Sequence, residues 1–163
     1  MQRLRGRRLE EEIEQLYRAR FPHFVQVARA IVGDPERAVE AVQDGFADAI
    51  RGRSQFRGEG PLEAWVWRAV VNAAKKATRR PLVEVGREAV ETYEMPPSAL
   101  ELAPLLSALP ERQRLALFLR YYADLDYRSI AAVLGIEVGT VSASLASAHA
   151  AIRKAVKEAD IHG

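Results

Sequence analysis

Apolar residues along the first third of the chain recur three and four apart. Leu9, Ile13, Leu16, Tyr17, Phe24, Val27 and Ile31 keep that spacing, which stacks side chains on one face of an α-helix. Pro22 within the run lacks an N–H and predicts a bend. Gly33-Asp34-Pro35-Glu36 then ends one helix and begins another, with Asp34 as N-cap and Pro35 at the first helical position. The second helix carries Ala38, Val42, Phe46 and Ile50 on one face. Four glycine or proline residues in RGRSQFRGEGP, Arg51 to Pro61, predict a loop. A third helix from about residue 62 to 80 offers Trp65, Val66, Ala69, Val70 and Ala73 to a core.

The period dissolves in PLVEVGREAVETYEMPP, Pro81 to Pro97, an acidic stretch with three prolines that reads as a flexible linker. Helices are then predicted near 98–108, 111–123, 127–134 and 138–157, with Leu109-Pro110-Glu111 marking one start. Tyr127, Ile130, Ala131, Val133 and Leu134 define a short helix, Gly135 a turn, and Val138, Val141, Leu145, Ala148 and Ile152 a longer helix. That order describes a helix-turn-helix, although an ordinary pair of antiparallel helices shares the pattern. No strand-like alternation is present. The expected fold is all-α: a helical domain over 1–80, a linker over 81–97, and a helix-turn-helix domain over 98–163.

Composition adds limits. Of 163 residues, 48% are hydrophobic and 28% charged, as in ordinary folded proteins. There is no cysteine, so disulfide frameworks and thiolate metal sites are excluded. The basic N-terminus MQRLRGRRLEEEIEQLY lacks an apolar segment behind it, and no apolar run approaches membrane-span length. A soluble cytoplasmic protein without membrane insertion is the expectation. The net charge of +2 is unevenly distributed: residues 1–80 hold 16 Lys+Arg against 11 Asp+Glu, whereas residues 81–105 hold one arginine against five glutamates. Basic parts separated by an acidic connector suit a nucleic-acid face; solvated helix surfaces are the alternative.

Catalytic chemistry finds no support. His23, His149 and His162 are scattered, and phosphate-binding loops, dinucleotide fingerprints and nucleophile elbows are missing. Neither an enzyme, nor a metal site, nor a cofactor is expected. The loop and third helix instead interleave cations with aromatics: Arg51, Arg53, Phe56 and Arg57, then Trp65, Trp67, Arg68, Asn72, Lys75, Lys76, Arg79 and Arg80. Aromatics stack on bases and cations track phosphates, so the segment suits a separated DNA strand. The competing reading places both tryptophans in the core, and Trp65 is assigned there. On the last helix, Glu137, Gly139, Thr140, Ser142, Ala143, Ser144, Ala146 and Ser147 would face outward. No lysine or arginine lies between Gly135 and Ile152, so this surface lacks the bidentate guanine contact of arginine.

Three segments in this order resemble bacterial RNA polymerase sigma factors of the extracytoplasmic-function (group IV, sigma-70 family) type. GDPERAVEAVQDGFADAI looks like region two-point-two, FRGEGPLEAWVWRAVVNAAKK like two-point-three and two-point-four, and LPERQRLALFLRYYADLDYRSIAAVLGIEVGTV like region four. The resemblance spans Glu10 to Lys157. It implies a factor that binds core RNA polymerase and directs promoter-specific initiation. Gln43, Asp44 and Phe46 would dock on the clamp helices of the largest polymerase subunit. Arg53, Phe56, Arg57, Trp67, Arg68, Asn72, Lys75 and Lys76 would bind the -10 element, with a flipped base taken by the loop after Phe56. Tyr127 and Arg128 would lie near phosphates of the -35 element, with Thr140, Ser142, Ala143, Ser144 and Ser147 toward its major groove. Promoter DNA, core polymerase and an anti-sigma factor are the implied partners. The departure is the last helix, where the family carries several basic residues after Gly-Thr-Val. That departure keeps open an alternative, a sigma-like protein binding polymerase or an anti-sigma factor without directing initiation.

Overall fold

The structure, a computed structural model, describes residues 1–80 and 104–162. The expected linker over 81–97, and the start of the helix expected from 98, lie outside the described residues. Helix α1 runs Gln2–Val32, α2 Pro35–Arg51 and α3 Leu62–Thr78, with a single 3-10 turn at Arg53–Gln55 between the last two. In the second half α4 is Glu111–Tyr121, α5 Tyr127–Leu134 and α6 Val138–His162. Among the described residues there is no strand, in agreement with the all-α expectation.

The local signals act as expected. Gly33, at φ 82, donates its N–H to the Arg29 carbonyl, and the Asp34 carboxylate accepts from Glu36 N–H at 3.2 Å. The bend in α1 falls at Arg20 (φ −127, ψ 15), two residues before Pro22. Proline cannot donate toward the preceding turn and its ring crowds that turn's carbonyl, so the break lies on its N-terminal side. Helix α1 also begins at Gln2, seven residues before the apolar pattern starts at Leu9. Its first turns are tied down from outside: Arg53 Nε donates to the Gly6 carbonyl at 3.1 Å, and Arg5 Nη2 to the Phe56 carbonyl at 2.9 Å.

Helices α1, α2 and α3 pack on one another around Ile13, Phe24, Val42, Phe46, Trp67 and Val70, all buried. The closest crossing is at Gly45, where a Cβ would stand 2.6 Å from the Val70 Cα. Only glycine lets α2 and α3 approach so nearly. Helices α4, α5 and α6 enclose a second set, with Leu115, Leu119, Ile130, Val141 and Leu145 buried. The two sets join into one continuous apolar cluster, α4 against α1 and α5 against α3. Two arginines stitch this seam. Arg20 pairs with Glu63 at 3.2 Å and donates to the Ala123 carbonyl at 3.0 Å, and Arg114 Nε donates to the Ala30 carbonyl at 3.0 Å. Among the described residues no single helix is long and apolar enough to cross a membrane.

Candidate functional site

The outer face of α2 is acidic. Glu36, Glu40, Asp44 and Asp48 stand four residues apart, so they share one side, and the last three are exposed, with Gln43 beside Asp44. Asp48 is paired with Arg51. Like charges at this spacing oppose the helix by roughly 0.2–0.5 kcal/mol per pair. An exposed strip of this kind presents negative charge to whatever meets that side of α2. Phe46, expected beside Gln43 and Asp44 on that face, is placed differently. It is buried edge-on to Phe24, with ring centroids 4.8 Å apart, and to Tyr17 at 5.0 Å. Its position four residues after Val42, on the apolar stripe, foretold this. Glu40 is the strip residue that the motif did not single out, and the four-residue spacing of carboxylates was its signal.

Arg68, Asn72 and Lys76 are exposed at four-residue spacing along one side of α3, with exposed Arg79 just past its end and Lys75 half-buried at the edge. Trp67, expected to face a DNA strand, is corrected to the core. It is fully buried and stacks on Phe24 with centroids 3.8 Å apart and planes 19° from parallel. Trp65, assigned to the core, is partly buried and packs against the core's edge, 5.6 Å from the half-buried Phe56 ring. The aromatic pair at the mouth of the loop is therefore Phe56 with Trp65. Arg57 is exposed on the loop. Arg53 points inward instead: it pairs with Glu10 at 3.6 Å and donates to the Ile50 and Gly6 carbonyls, so it braces the loop against α1.

In the second half the chain turns through 100° between α5 and α6, within the helix-turn-helix range. Gly135 makes the turn in the left-handed region (φ 66, ψ 38), and Ile136 N–H closes it on the Ala131 carbonyl at 3.0 Å. Tyr127 and Arg128 are exposed at the start of α5, and the Arg120 guanidinium lies 5.8 Å from the Tyr127 ring centre. On α6 Ser142, Ala143, Ala146 and Ser147 are exposed and Thr140 half-exposed. Ser144, expected outward, is buried: it falls between Val141 and Ala148 on the same stripe as Leu145. Val138, expected in that stripe, is 44% exposed instead. The exposed face of α6 is thus small and uncharged from Val138 to Ala151, apart from half-exposed His149, whose Nε2 lies 2.8 Å from the Tyr121 hydroxyl.

Helix α5 is held by its cap. The Asp126 carboxylate accepts from Ser129 N–H at 2.8 Å. That backbone bond and then the Ser129 hydroxyl hold its pKa below the ordinary value of 3.8; burial opposes them, and the charges of Arg128 and Arg120 add smaller effects in the lowering direction. Asp126→Ala is expected to cost about 1 kcal/mol of stability at neutral pH. A carboxyl with a depressed folded pKa stabilises fully above its unfolded value and loses that as pH falls through the folded one. The difference in urea midpoint between wild type and variant is therefore full at pH 7 and shrinks below pH 3.8. A difference that persists in acid would remove the charge from the account.

Family models place this geometry. "Sigma-70 region 2" matches residues 16–81 and "Sigma-70, region 4" residues 99–152. The chain is 31% identical over 147 residues to the RNA polymerase sigma-H factor of Pseudomonas aeruginosa, covering 77% of this chain and 76% of that one. It is 29% identical over 139 residues to the ECF RNA polymerase sigma-E factor of Escherichia coli, covering 72% and 73%. Among solved structures, CnrH in complex with the cytosolic domain of CnrY shares the fold with a TM-score of 0.72 at 24% identity, over 97% of each chain. The sigma factor RpoE of Bartonella quintana, in complex with the anti-sigma factor NepR, does so with a TM-score of 0.70 at 18% identity, over 90% of this chain and 98% of that one. Two matched regions in family order, an exposed basic helix face and a helix-turn-helix have one reading. The chain belongs to the extracytoplasmic-function group of the sigma-70 family, and is a sigma factor that binds core RNA polymerase and directs promoter-specific transcription initiation.

Proposed function

We propose that the parts of this sigma factor divide the work of initiation. Residues 1–80 bind core polymerase and the -10 element, 81–97 connect, and 98–163 address the -35 element. Gln43 and Asp44 dock on the polymerase, with Glu40 extending the contact. Arg57, Arg68, Asn72, Lys75 and Lys76 bind the -10 strand, with Phe56 and Trp65 offering the stacking surface. The observation that carries this reading is Asn72, exposed between Arg68 and Lys76 on one side of α3. An amide between two cations reads a base while its neighbours hold the phosphates.

The -35 side is weaker by its chemistry. Tyr127 and Arg128 meet phosphates, while Thr140, Ser142, Ala143 and Ser147 offer hydroxyls and methyls to base edges but no bidentate fork. Affinity there comes from tethering, since α6 meets DNA already anchored through the first domain and the polymerase. The protein acts in the cytoplasm, by binding and not by a reaction of its own. An anti-sigma factor is a further partner, as NepR is for the structurally similar RpoE of Bartonella quintana.

Transcription from a randomised promoter library with core polymerase tests this division. Enrichment is expected to be strong at -10 and weak at -35, and Asn72→Ala to change the -10 preference without changing core binding. An unchanged -10 preference in Asn72→Ala would defeat the assignment of that amide, and strong -35 enrichment the weak reading of α6.

A further inference from the structure

The first two turns of α1 precede the region 2 match, which begins at residue 16. They line one side of an open groove of about 710 Å³ whose other side is Arg51, Arg53 and Ser54. Arg3, Arg5 and Arg7 all line it, and so does Glu10, whose carboxylate pairs with Arg53 at 3.6 Å. Arg51 and Arg53 are paired with Asp48 and Glu10, but among the described residues no carboxylate pairs with Arg3, Arg5 or Arg7. These three charges work against the helix that carries them. The first turn of α1 has no acidic residue, cations are unfavourable at a helix N-terminus, and Arg3 and Arg7 repel at four-residue spacing.

The groove is continuous with the aromatic loop. Arg5 donates to the Phe56 carbonyl at 2.9 Å, so the guanidinium that borders the groove also touches the residue beside Trp65. A strand lying along Arg68, Asn72 and Lys76 and entering the loop at Phe56 and Trp65 meets this groove next. We propose that the Arg3–Arg7 turn is a phosphate-binding site for the separated promoter strand as it leaves the Phe56 loop. Arg3 and Arg7 hold two consecutive backbone positions, and Arg5 holds the loop in place. The site rests on the -10 role proposed for the first domain and adds to it a grip that carries no sequence information, because guanidinium–phosphate contacts position without reading bases.

The test uses holoenzyme assembled from the full chain. R3Q/R7Q removes two charges that make no hydrogen bond or ion pair among the described residues, and R3K/R7K keeps them. The probe is a fork-junction DNA carrying the enriched -10 element as a single strand, with dissociation constants measured across salt concentrations. Each lost single-strand phosphate contact lowers the slope of log affinity against log salt by about 0.7, so R3Q/R7Q is expected to lower it by about 1.4 and R3K/R7K to restore it. Preference among -10 sequences stays as in wild type. A wild-type slope in R3Q/R7Q overturns the site while leaving the -10 reading intact, and weakened core binding overturns it in favour of a protein partner. If wild-type holoenzyme itself fails to bind the fork, the -10 reading falls first, and the site with it.

Discussion

Asp44→Arg is expected to remove binding to core RNA polymerase while the fold stays intact. Asp44 is exposed on the acidic strip of α2, and no hydrogen bond or ion pair within the described residues involves it. Among the described residues no bond is lost with its carboxylate. An arginine at this position stands four residues from Glu40 and four from Asp48, which exchanges two like-charge pairs for two attractive ones. The melting temperature should therefore hold or rise slightly. At the interface the sign is opposite. A basic surface matched to the strip would meet a guanidinium at its centre, and like charges brought together there cost several kcal/mol. A loss of about 3 kcal/mol is roughly a hundredfold in Kd. Fluorescence anisotropy of labelled protein titrated with core polymerase measures this directly, with thermal melting as the control. An unchanged Kd would detach the acidic strip from polymerase binding.

Trp67→Ala should cost about 3–5 kcal/mol of stability, the usual loss for a large aromatic removed from a core. Trp67 is fully buried and stacked on Phe24, which itself packs edge-on against Phe46. The indole thus closes a chain of rings that joins α1, α2 and α3. Against a total stability of about 5–15 kcal/mol for a domain, that loss leaves little. The fall in Tm is expected to be roughly 10 °C, at about 2–4 °C per kcal/mol for a chain of this size. Trp65→Ala provides the contrast. Its ring packs only at the core's edge, so the melting temperature should fall less than in Trp67→Ala, and affinity for single-stranded -10 DNA should fall as well, since base stacking is worth about 1–3 kcal/mol per base. A Trp67→Ala protein that melts like wild type but binds the strand poorly would return Trp67 to the DNA face.

The two tryptophans mark where sequence stops and tertiary structure begins. Residues two apart on a helix point about 200° from each other, so Trp65 and Trp67 lie on different faces, and one of them, not both, reaches the fully buried centre. Which one does depends on where α1 and α2 lie around α3, and apolar character alone leaves the choice open. Phe46 and Ser144 are a different case. Phe46 follows Val42 by four residues, and Ser144 falls three after Val141 and four before Ala148, so spacing already placed both inward. A motif assignment displaced the first and a hydroxyl's polarity the second, and in each case the helical period prevailed.

The sequence by itself determined the helices, their caps and turns, and the family. These depend on interactions within a few residues: Asp34 capping α2, Gly135 turning left-handed, stripes three and four apart, and short segments in a recognisable order. Tertiary structure alone decided what depends on residues distant in the chain. It set Gly45 against Val70, joined Arg20 to Glu63 and Ala123, and tied Arg114 to Ala30 across the seam between the two halves. It also brought the Arg3–Arg7 turn beside the Phe56 loop, about fifty residues later. Local free energies of about 1 kcal/mol each select helices and caps, and these are written in neighbouring residues. The choice of which faces meet belongs to packing across the whole chain, and a periodic pattern leaves that choice open until the partners are in place.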